Sequence, residues 1–181
     1  PIDLDGREDF RNKPIISIDG EDAKDLDDAV SLEKSDDGMF ILGVHVADVS
    51  HYVRDESALD KEALKRATSV YFPGCVIPML PTQLSNGICS LNEGCERLTL
   101  SVIMKIDEKG KVCDSKIVPS VIINKHRMTY NEVTAILNQD EVLIEKYSDV
   151  YGMIKDMLSL SRILLKNRKA RGSIELDIPE T

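Results

Sequence analysis

Four aspartates lie close together near the start of this 181-residue chain, within the run ISIDGEDAKDLDDAVSL: Asp19, Asp25, Asp27 and Asp28. Ionised carboxylates at this density repel one another unless a cation or a shared proton neutralises them. The run itself contains a single basic residue, Lys24. Carboxylate oxygens are hard ligands that suit Mg²⁺, with Mn²⁺ as a possible substitute. The run therefore predicts a metal site.

The spacing within the cluster indicates what such a site would do. Asp27 and Asp28 are adjacent, so in extended backbone their side chains point in opposite directions. One could hold a metal ion while the other binds a second ion or orients a water. This arrangement fits two-metal hydrolysis of a phosphodiester. Bound metals would also hold substrate phosphates, which would let an acidic protein bind a polyanion.

Other acidic motifs fit the residues less well. A solvated acidic loop is disfavoured because apolar, strand-like segments flank the acids directly. An EF-hand loop starting at Asp25 would need Gly at its sixth position, where Val30 stands, so that motif is excluded. A haloacid dehalogenase-like phosphatase would use Asp25 of DLDD as its nucleophile, but residues 20–24 before it are polar rather than a strand. That phosphatase is the second enzyme hypothesis.

Composition sets broad limits. The net charge is −9, which counts against a nucleic-acid partner unless the acids serve metals or basic modules lie elsewhere. No apolar run approaches the ~18 residues that span a bilayer, so no membrane role is expected. The four cysteines form no CxxC pair, which favours reduced thiols in a cytoplasmic protein. The chain begins with Pro1 rather than Met and is expected to be a piece of a longer protein.

Periodicity predicts an α+β (mixed α/β) fold, with a partly antiparallel mixed sheet and packed helices. The predicted strands are residues 14–19, 29–33, 40–46, 98–106 and 111–123. The polar residues 1–13 are interpreted as a linker leading into one domain over residues 14–181.

Capping residues predict the helices. Asp55 or Ser57 begins one that ends near residue 68, and the TYNE capping box at residues 129–132 begins a short one. A long helix is predicted from about residue 140. Between these, residues 71–81 are rich in Pro and Gly and predict a long loop of functional type.

Several motifs occur in a family's order: IDGEDAKDLDDAV, GVHVADVSHYV, TSVYFPGCVIPMLP, LSNGICSLN and RGSIEL. Together they closely resemble the catalytic (RNB) domain of the ribonuclease II and ribonuclease R family, nearest to the bacterial ribonuclease R branch. The resemblance covers about residues 7–176 and identifies the chain as the N-terminal part of that domain.

The resemblance implies a processive, hydrolytic, Mg²⁺-dependent 3′→5′ exoribonuclease that releases nucleoside 5′-monophosphates. The family's four catalytic, metal-binding aspartates correspond to Asp19, Asp25, Asp27 and Asp28. The first and last are direct ligands in the family, and loss of the third, Asp27 here, is the most damaging. Tyr71 corresponds to the tyrosine that stacks on the 3′-terminal base of single-stranded RNA. From the residues alone, Tyr71 would be interpreted as a core tyrosine with a satisfied hydroxyl.

The chain also departs from the family pattern. The second stacking ring would fall at Leu176, which is not aromatic. The family's HFTSPIRRYPDL-type motif, with its phosphate-supporting arginine, and its cold-shock and S1 domains have no counterpart in the sequence. We therefore expect the fragment itself to be inactive or weak. A non-catalytic RNA- or metal-binding role is the rival hypothesis.

Three remaining features receive lesser roles. His45 and His51 are interpreted as structural, and residues 84–92 (LSNGICSLN) are expected to shape a loop and line a substrate channel. Glu21 and Asp22 are interpreted as bystanders within the acidic run.

Overall fold

The computed structural model describes residues 4–174. In this part of the chain the strands are β1 (Glu8–Asp9), β2 (Ile15–Asp19), β3 (Asp28–Lys34), β4 (Phe40–Ala47), β5 (Val70–Phe72), β6 (Cys75–Ile77), β7 (Glu96–Ile106) and β8 (Val112–Thr129). The α-helices are α1 (Val49–Tyr52), α2 (Ala58–Arg66), α3 (Tyr130–Leu137), α4 (Glu141–Lys146) and α5 (Tyr151–Ala170). A π-helical segment covers Gln83–Ile88. No helix among these residues is long and apolar enough to cross a membrane.

The main sheet is mixed, as the sequence predicts. Its strand order is β1–β8–β2–β3–β4–β7, with a further pairing of β8 with β7. Strand β8 is parallel to β1 and β2 and antiparallel to β7, and the β2–β3, β3–β4 and β4–β7 pairs are antiparallel. Because β8 pairs with β2 at its end and with β7 before that, the row of strands closes on itself.

Strand β8 is longer than predicted, reaching Thr129 rather than residue 123. Its last residues, from Asn124 to Thr129, form the parallel pairing with β2. Thr129 then caps α3, and the predicted capping box with Glu132 is confirmed. The end of β8 therefore lies beside Asp19, the last residue of β2.

Helices α3, α4 and α5 cover the outer face of the sheet. Ile16, Leu32 and Met128 from the strands pack there with Ile136 and Ile154 from the helices. The single long helix predicted from about residue 140 is wrong, because the chain forms α4 and then α5.

The break between those helices follows from the burial of one ring. Tyr147 lies between α4 and α5, is 4% exposed, and its hydroxyl donates to Oε1 of Glu132 at 2.7 Å. The chain turns at this residue (φ −110°, ψ 30°) so that the ring enters the core.

The inner face of the closed sheet holds several buried polar side chains. His45 is fully buried; its Nε2 lies 3.1 Å from Ser31 Oγ and its Nδ1 lies 2.6 Å from Ser101 Oγ. Gly43 leaves room for this pair, because a Cβ there would collide with Ser31 Oγ. The structural interpretation of His45 is confirmed. His51 lies at the surface in α1.

Two stretches differ from their sequence interpretation as irregular chain. Within residues 1–13, β1 pairs with β8 and Phe10 is buried, so the described part of the predicted linker packs onto the sheet. Within residues 71–81, β5 and β6 form a separate antiparallel hairpin whose residues are all exposed. The prolines flank these short strands and thus do not interrupt their pairing.

Candidate active site

The ends of two paired strands bring the predicted aspartates into one region. Asp19 ends β2 and Asp28 begins β3, and the two strands are antiparallel neighbours. The connecting residues carry Asp25 and Asp27. We call residues 19–28 the acid loop. The loop thus joins the ends of two paired strands, as predicted, and Asp19 and Asp28 stand at those two ends.

Two carboxylates of the acid loop, those of Asp19 and Asp27, have raised pKa values. Partial burial raises the pKa of Asp19 most, the charge of Asp28 raises it further, and the Arg127 cation opposes both. Partial loss of water around its carboxylate is also the largest cause of the raised pKa of Asp27, and the charges of Asp25 and Asp28 add to it. The loop thus concentrates negative charge that the Arg127 cation offsets only in part.

A buried leucine fixes the centre of the acid loop. Leu26 is 1% exposed, while its neighbour Asp25 is half-buried and Asp27 is exposed. The Leu26 N–H donates to Ser90 Oγ at 3.1 Å, and its carbonyl accepts from the Leu91 N–H at 2.9 Å. These bonds hold the backbone between the two acids, so that both remain at the surface of the loop.

Residues 84–92 supply that anchor. Ser90 Oγ also donates to the Lys24 carbonyl at 2.9 Å. Arg97 on β7 donates to the carbonyls of Ser90 (2.7 Å) and Gly87 (3.1 Å), which fixes the π-helical segment beside the acid loop. Helices of this type are often found at functional sites. The expected loop-shaping role of residues 84–92 agrees with this geometry, but neither Ser90 nor Arg97 was singled out by sequence reasoning.

Arg127 holds the first half of the acid loop from the opposite side. Its Nη2 donates to the carbonyls of Glu21 (2.8 Å) and Ala23 (2.7 Å). The Asn131 amide donates to Glu21 Oε1 at 2.8 Å. Glu21, interpreted as a bystander, thus fastens the loop. Sequence spacing gave no signal for Arg127, since more than a hundred residues separate it from the carbonyls it binds.

Tyr71 reaches the acid loop from the β5–β6 hairpin. Its ring is 66% exposed, so the interpretation as a core tyrosine is wrong. Its hydroxyl donates to Oδ2 of Asp25 at 3.1 Å, which raises the pKa of Tyr71 and keeps the hydroxyl protonated. The structure therefore joins four predicted aspartates and the predicted stacking residue in one region. Leu176 lies outside the described residues.

The acid loop has the donors that Mg²⁺ prefers, namely carboxylate oxygens with excess negative charge. Across residues 4–174, however, no three His, Cys, Asp or Glu side chains already converge on a position from which one ion could reach them all. The donor chemistry fits Mg²⁺, and Asp27 and Asp28 are exposed to solvent.

The fold is a closed mixed sheet covered by helices, with the acid loop between the end of β2 and the start of β3. Comparison with known proteins identifies the family to which this domain belongs. The RNB domain profile matches residues 7–181. The chain belongs to the RNB domain family.

Several relatives carry the name ribonuclease R. A ribonuclease R from Thermotoga maritima is 54% identical over 176 residues, which are 97% of this chain and 24% of that relative. The structure of Mycoplasma genitalium RNase R with ribose-methylated single-stranded RNA matches with a TM-score of 0.87 and 35% identity, over 97% of this chain and 27% of that one. The same enzyme with double-stranded RNA matches with a TM-score of 0.85, 35% identity and coverages of 94% and 30%. The chain thus spans about a quarter of the length of these relatives.

Proposed function

We propose that this chain is the N-terminal part of the catalytic domain of a processive, hydrolytic, Mg²⁺-dependent 3′→5′ exoribonuclease that releases nucleoside 5′-monophosphates. The observation that carries the proposal is the acid loop, which Ser90 anchors at Leu26 and which accepts a hydrogen bond from the hydroxyl of the exposed Tyr71. Family membership and the RNA complexes of the Mycoplasma genitalium relative support it.

The residues divide the chemistry as follows. Asp19, Asp25, Asp27 and Asp28 would hold Mg²⁺, which supplies an activated water and stabilisation of the leaving oxygen when bound. Ser90 and Leu91 hold Leu26 in place, so the carboxylates on either side of it stay presented at the surface. The exposed Tyr71 ring offers a face on which the 3′-terminal base can stack without regard to its identity.

The net charge of −9 bears on what this chain does by itself. RNA binding normally rests on Lys and Arg, so we propose that other domains of a longer parent supply most of the basic RNA channel, including cold-shock and S1 domains. The fragment alone is then inactive or weak. The free state of all four cysteines supports a reducing, cytoplasmic setting.

The test uses the full-length parent, 3′-labelled single-stranded RNA and Mg²⁺. Asp27→Asn should slow mononucleotide release at least about a hundredfold, the scale for a group acting on the reacting atoms, and leave RNA affinity intact. Asp22→Asn is the matched control, because Asp22 lies in the same loop and is exposed; it should behave as wild type. Degradation that persists in Asp27→Asn while RNA binding is lost would support the non-catalytic binding role instead.

The fragment hypothesis has a separate test. Residues 1–181 with 3′-labelled RNA and Mg²⁺ should release no more than a trace of mononucleotide. Robust release would show that the chain needs no further domains for catalysis. Phosphatase activity on small esters, with an aspartyl-phosphate at Asp25, would revive the haloacid dehalogenase hypothesis, which RNB membership otherwise leaves without support.

A further inference from the structure

Arg127 lies on β8 next to the strand that ends in Asp19. It pairs in register with Ser17, and Thr129 pairs with Asp19. The side chain is half-buried and extends from β8 to the acid loop. One terminal nitrogen of the guanidinium donates to two carbonyls of that loop, those of Glu21 and Ala23, at 2.8 and 2.7 Å.

This contact joins two points of the backbone in the first half of the acid loop. Two carbonyls that are two residues apart converge on one nitrogen, and the Ala23 N–H donates to the Gly20 carbonyl at 3.2 Å. Hydrogen bonds from a charged donor are stronger than neutral ones. The second half of the loop is held separately by Ser90 at Lys24 and Leu26. Arg127 therefore holds the backbone between Asp19 and Asp25 at two carbonyls, and Asn131 adds a bond to the Glu21 side chain.

Charge and position predict opposite effects of Arg127 on metal binding. As a cation near Asp19, Arg127 by Coulomb's law disfavours a second cation, so its removal would tighten metal binding. As the anchor of the Glu21 and Ala23 carbonyls, it assembles the ligands, so its removal would weaken metal binding. The sign of the change in affinity therefore separates the two roles.

We propose that Arg127 is a positioning residue that holds the acid loop in the conformation that binds the catalytic metal. The inference rests on the proposed function and adds a residue outside the acid loop to it. Arg127 does not contact the reacting atoms and acts through the loop backbone. Residues that orient metal ligands typically change metal affinity ten- to a hundredfold when replaced.

The experiment measures Mn²⁺ affinity and RNA hydrolysis in the full-length protein with Arg127→Gln, Arg127→Lys and the control Arg162→Gln. Arg162 is an exposed arginine on α5, away from the acid loop. Arg127→Gln should weaken Mn²⁺ binding about tenfold and lower kcat with little change in KM for RNA. Arg127→Lys, which keeps the charge but not the planar fork, should recover part of the affinity. Arg162→Gln should match wild type.

Amide hydrogen exchange of residues 20–27 adds a measurement that does not depend on activity. Arg127→Gln should speed exchange there and leave β4 and α5 unchanged, which also shows that the variant is folded. Tighter Mn²⁺ binding, or unchanged loop exchange, would overturn the positioning role. If wild type binds Mn²⁺ but hydrolyses no RNA, the proposed function fails while the positioning role is still decided by affinity and exchange.

Discussion

The hydroxyl of Tyr71 donates a hydrogen bond to Oδ2 of Asp25 at 3.1 Å, across 46 positions of sequence. The bond connects an exposed two-stranded hairpin to the acid loop. Through it, the residue proposed to stack on RNA and a residue proposed to bind metal share one contact. Occupation of Asp25 by a metal and rotation of the Tyr71 ring towards a base would each affect this bond.

Substitutions at Tyr71 separate the ring from the hydroxyl. Tyr71→Phe keeps the stacking face and removes the donor, so RNA affinity of the full-length protein should stay within about twofold of wild type. Tyr71→Ala should weaken RNA binding by about 1–3 kcal/mol, the usual contribution of one base stacked on an aromatic ring. Fluorescence anisotropy with single-stranded RNA measures both. Equal losses in the two variants would mean that the hydroxyl, not the ring, matters.

Asp27→Asn should stabilise the metal-free chain, although it slows hydrolysis in the full-length protein. The raised pKa of Asp27 means that its charged form is disfavoured in the fold, so its contribution to stability is lost as pH rises above 3.8 through the raised value. Removing the charge should increase the free energy of unfolding at pH 7 by no more than about 1 kcal/mol, since solvent screens a surface carboxylate.

Urea unfolding of both proteins in the presence of a chelator measures this difference. The increase in the free energy of unfolding should disappear near pH 3, where wild-type Asp27 is itself protonated. It should also disappear when Mg²⁺ is added, because the ion then neutralises the wild-type loop. If Asp27→Asn were less stable than wild type at pH 7, the inference that the fold disfavours the charged form of Asp27 would be wrong.

His45 should make the fold sensitive to mild acid. Burial, and to a lesser degree the charge of Lys13, lowers the pKa of His45 from 6.5 to about 4. Its contribution to stability is present above pH 6.5 and is lost as pH falls towards 4, because the unfolded chain binds the proton first. This amounts to up to about 3 kcal/mol.

Chemical denaturation from pH 7 to pH 4 tests the role of His45. His45→Gln should be less stable than wild type at pH 7, because the imidazole contacts with Ser31 and Ser101 are lost. It should also have a shallower pH dependence. An unchanged slope in His45→Gln would show that another group titrates in this range.

Glu132→Gln tests the junction of α3 and α4. Burial opposes the change, but hydrogen bonds from Tyr147, Lys146 and the Thr129 backbone lower the pKa of Glu132 to about 2. The stabilising contribution of ionised Glu132 is therefore present above pH 4.5 and is lost as the pH falls towards 2. The substitution should cost about 1–2 kcal/mol at pH 7, with the difference shrinking below pH 4.5 in thermal unfolding. A constant difference down to pH 2 would assign the effect to packing instead of charge.

The local elements follow from the sequence because their causes are local. Strands β2, β3, β4 and β7 show apolar runs or alternation, and the Thr129–Glu132 capping box is a pattern of four residues. The prediction of one long helix was wrong because a tertiary contact outweighed the local preference for helix. Tyr147 turns inward and donates to Glu132. The final six residues of β8 could not be predicted either, since their partner β2 lies about a hundred residues earlier.

For the site, the sequence alone determined the identity and spacing of Asp19, Asp25, Asp27 and Asp28, because mutual repulsion of clustered carboxylates follows from residue type and proximity along the chain. Only the tertiary structure decided what holds them: Ser90 on one side and Arg127 on the other. It also decided that Tyr71 is an exposed ring bonded to Asp25. Such contacts depend on closure of the sheet through β8, which brings together residues that no local pattern relates.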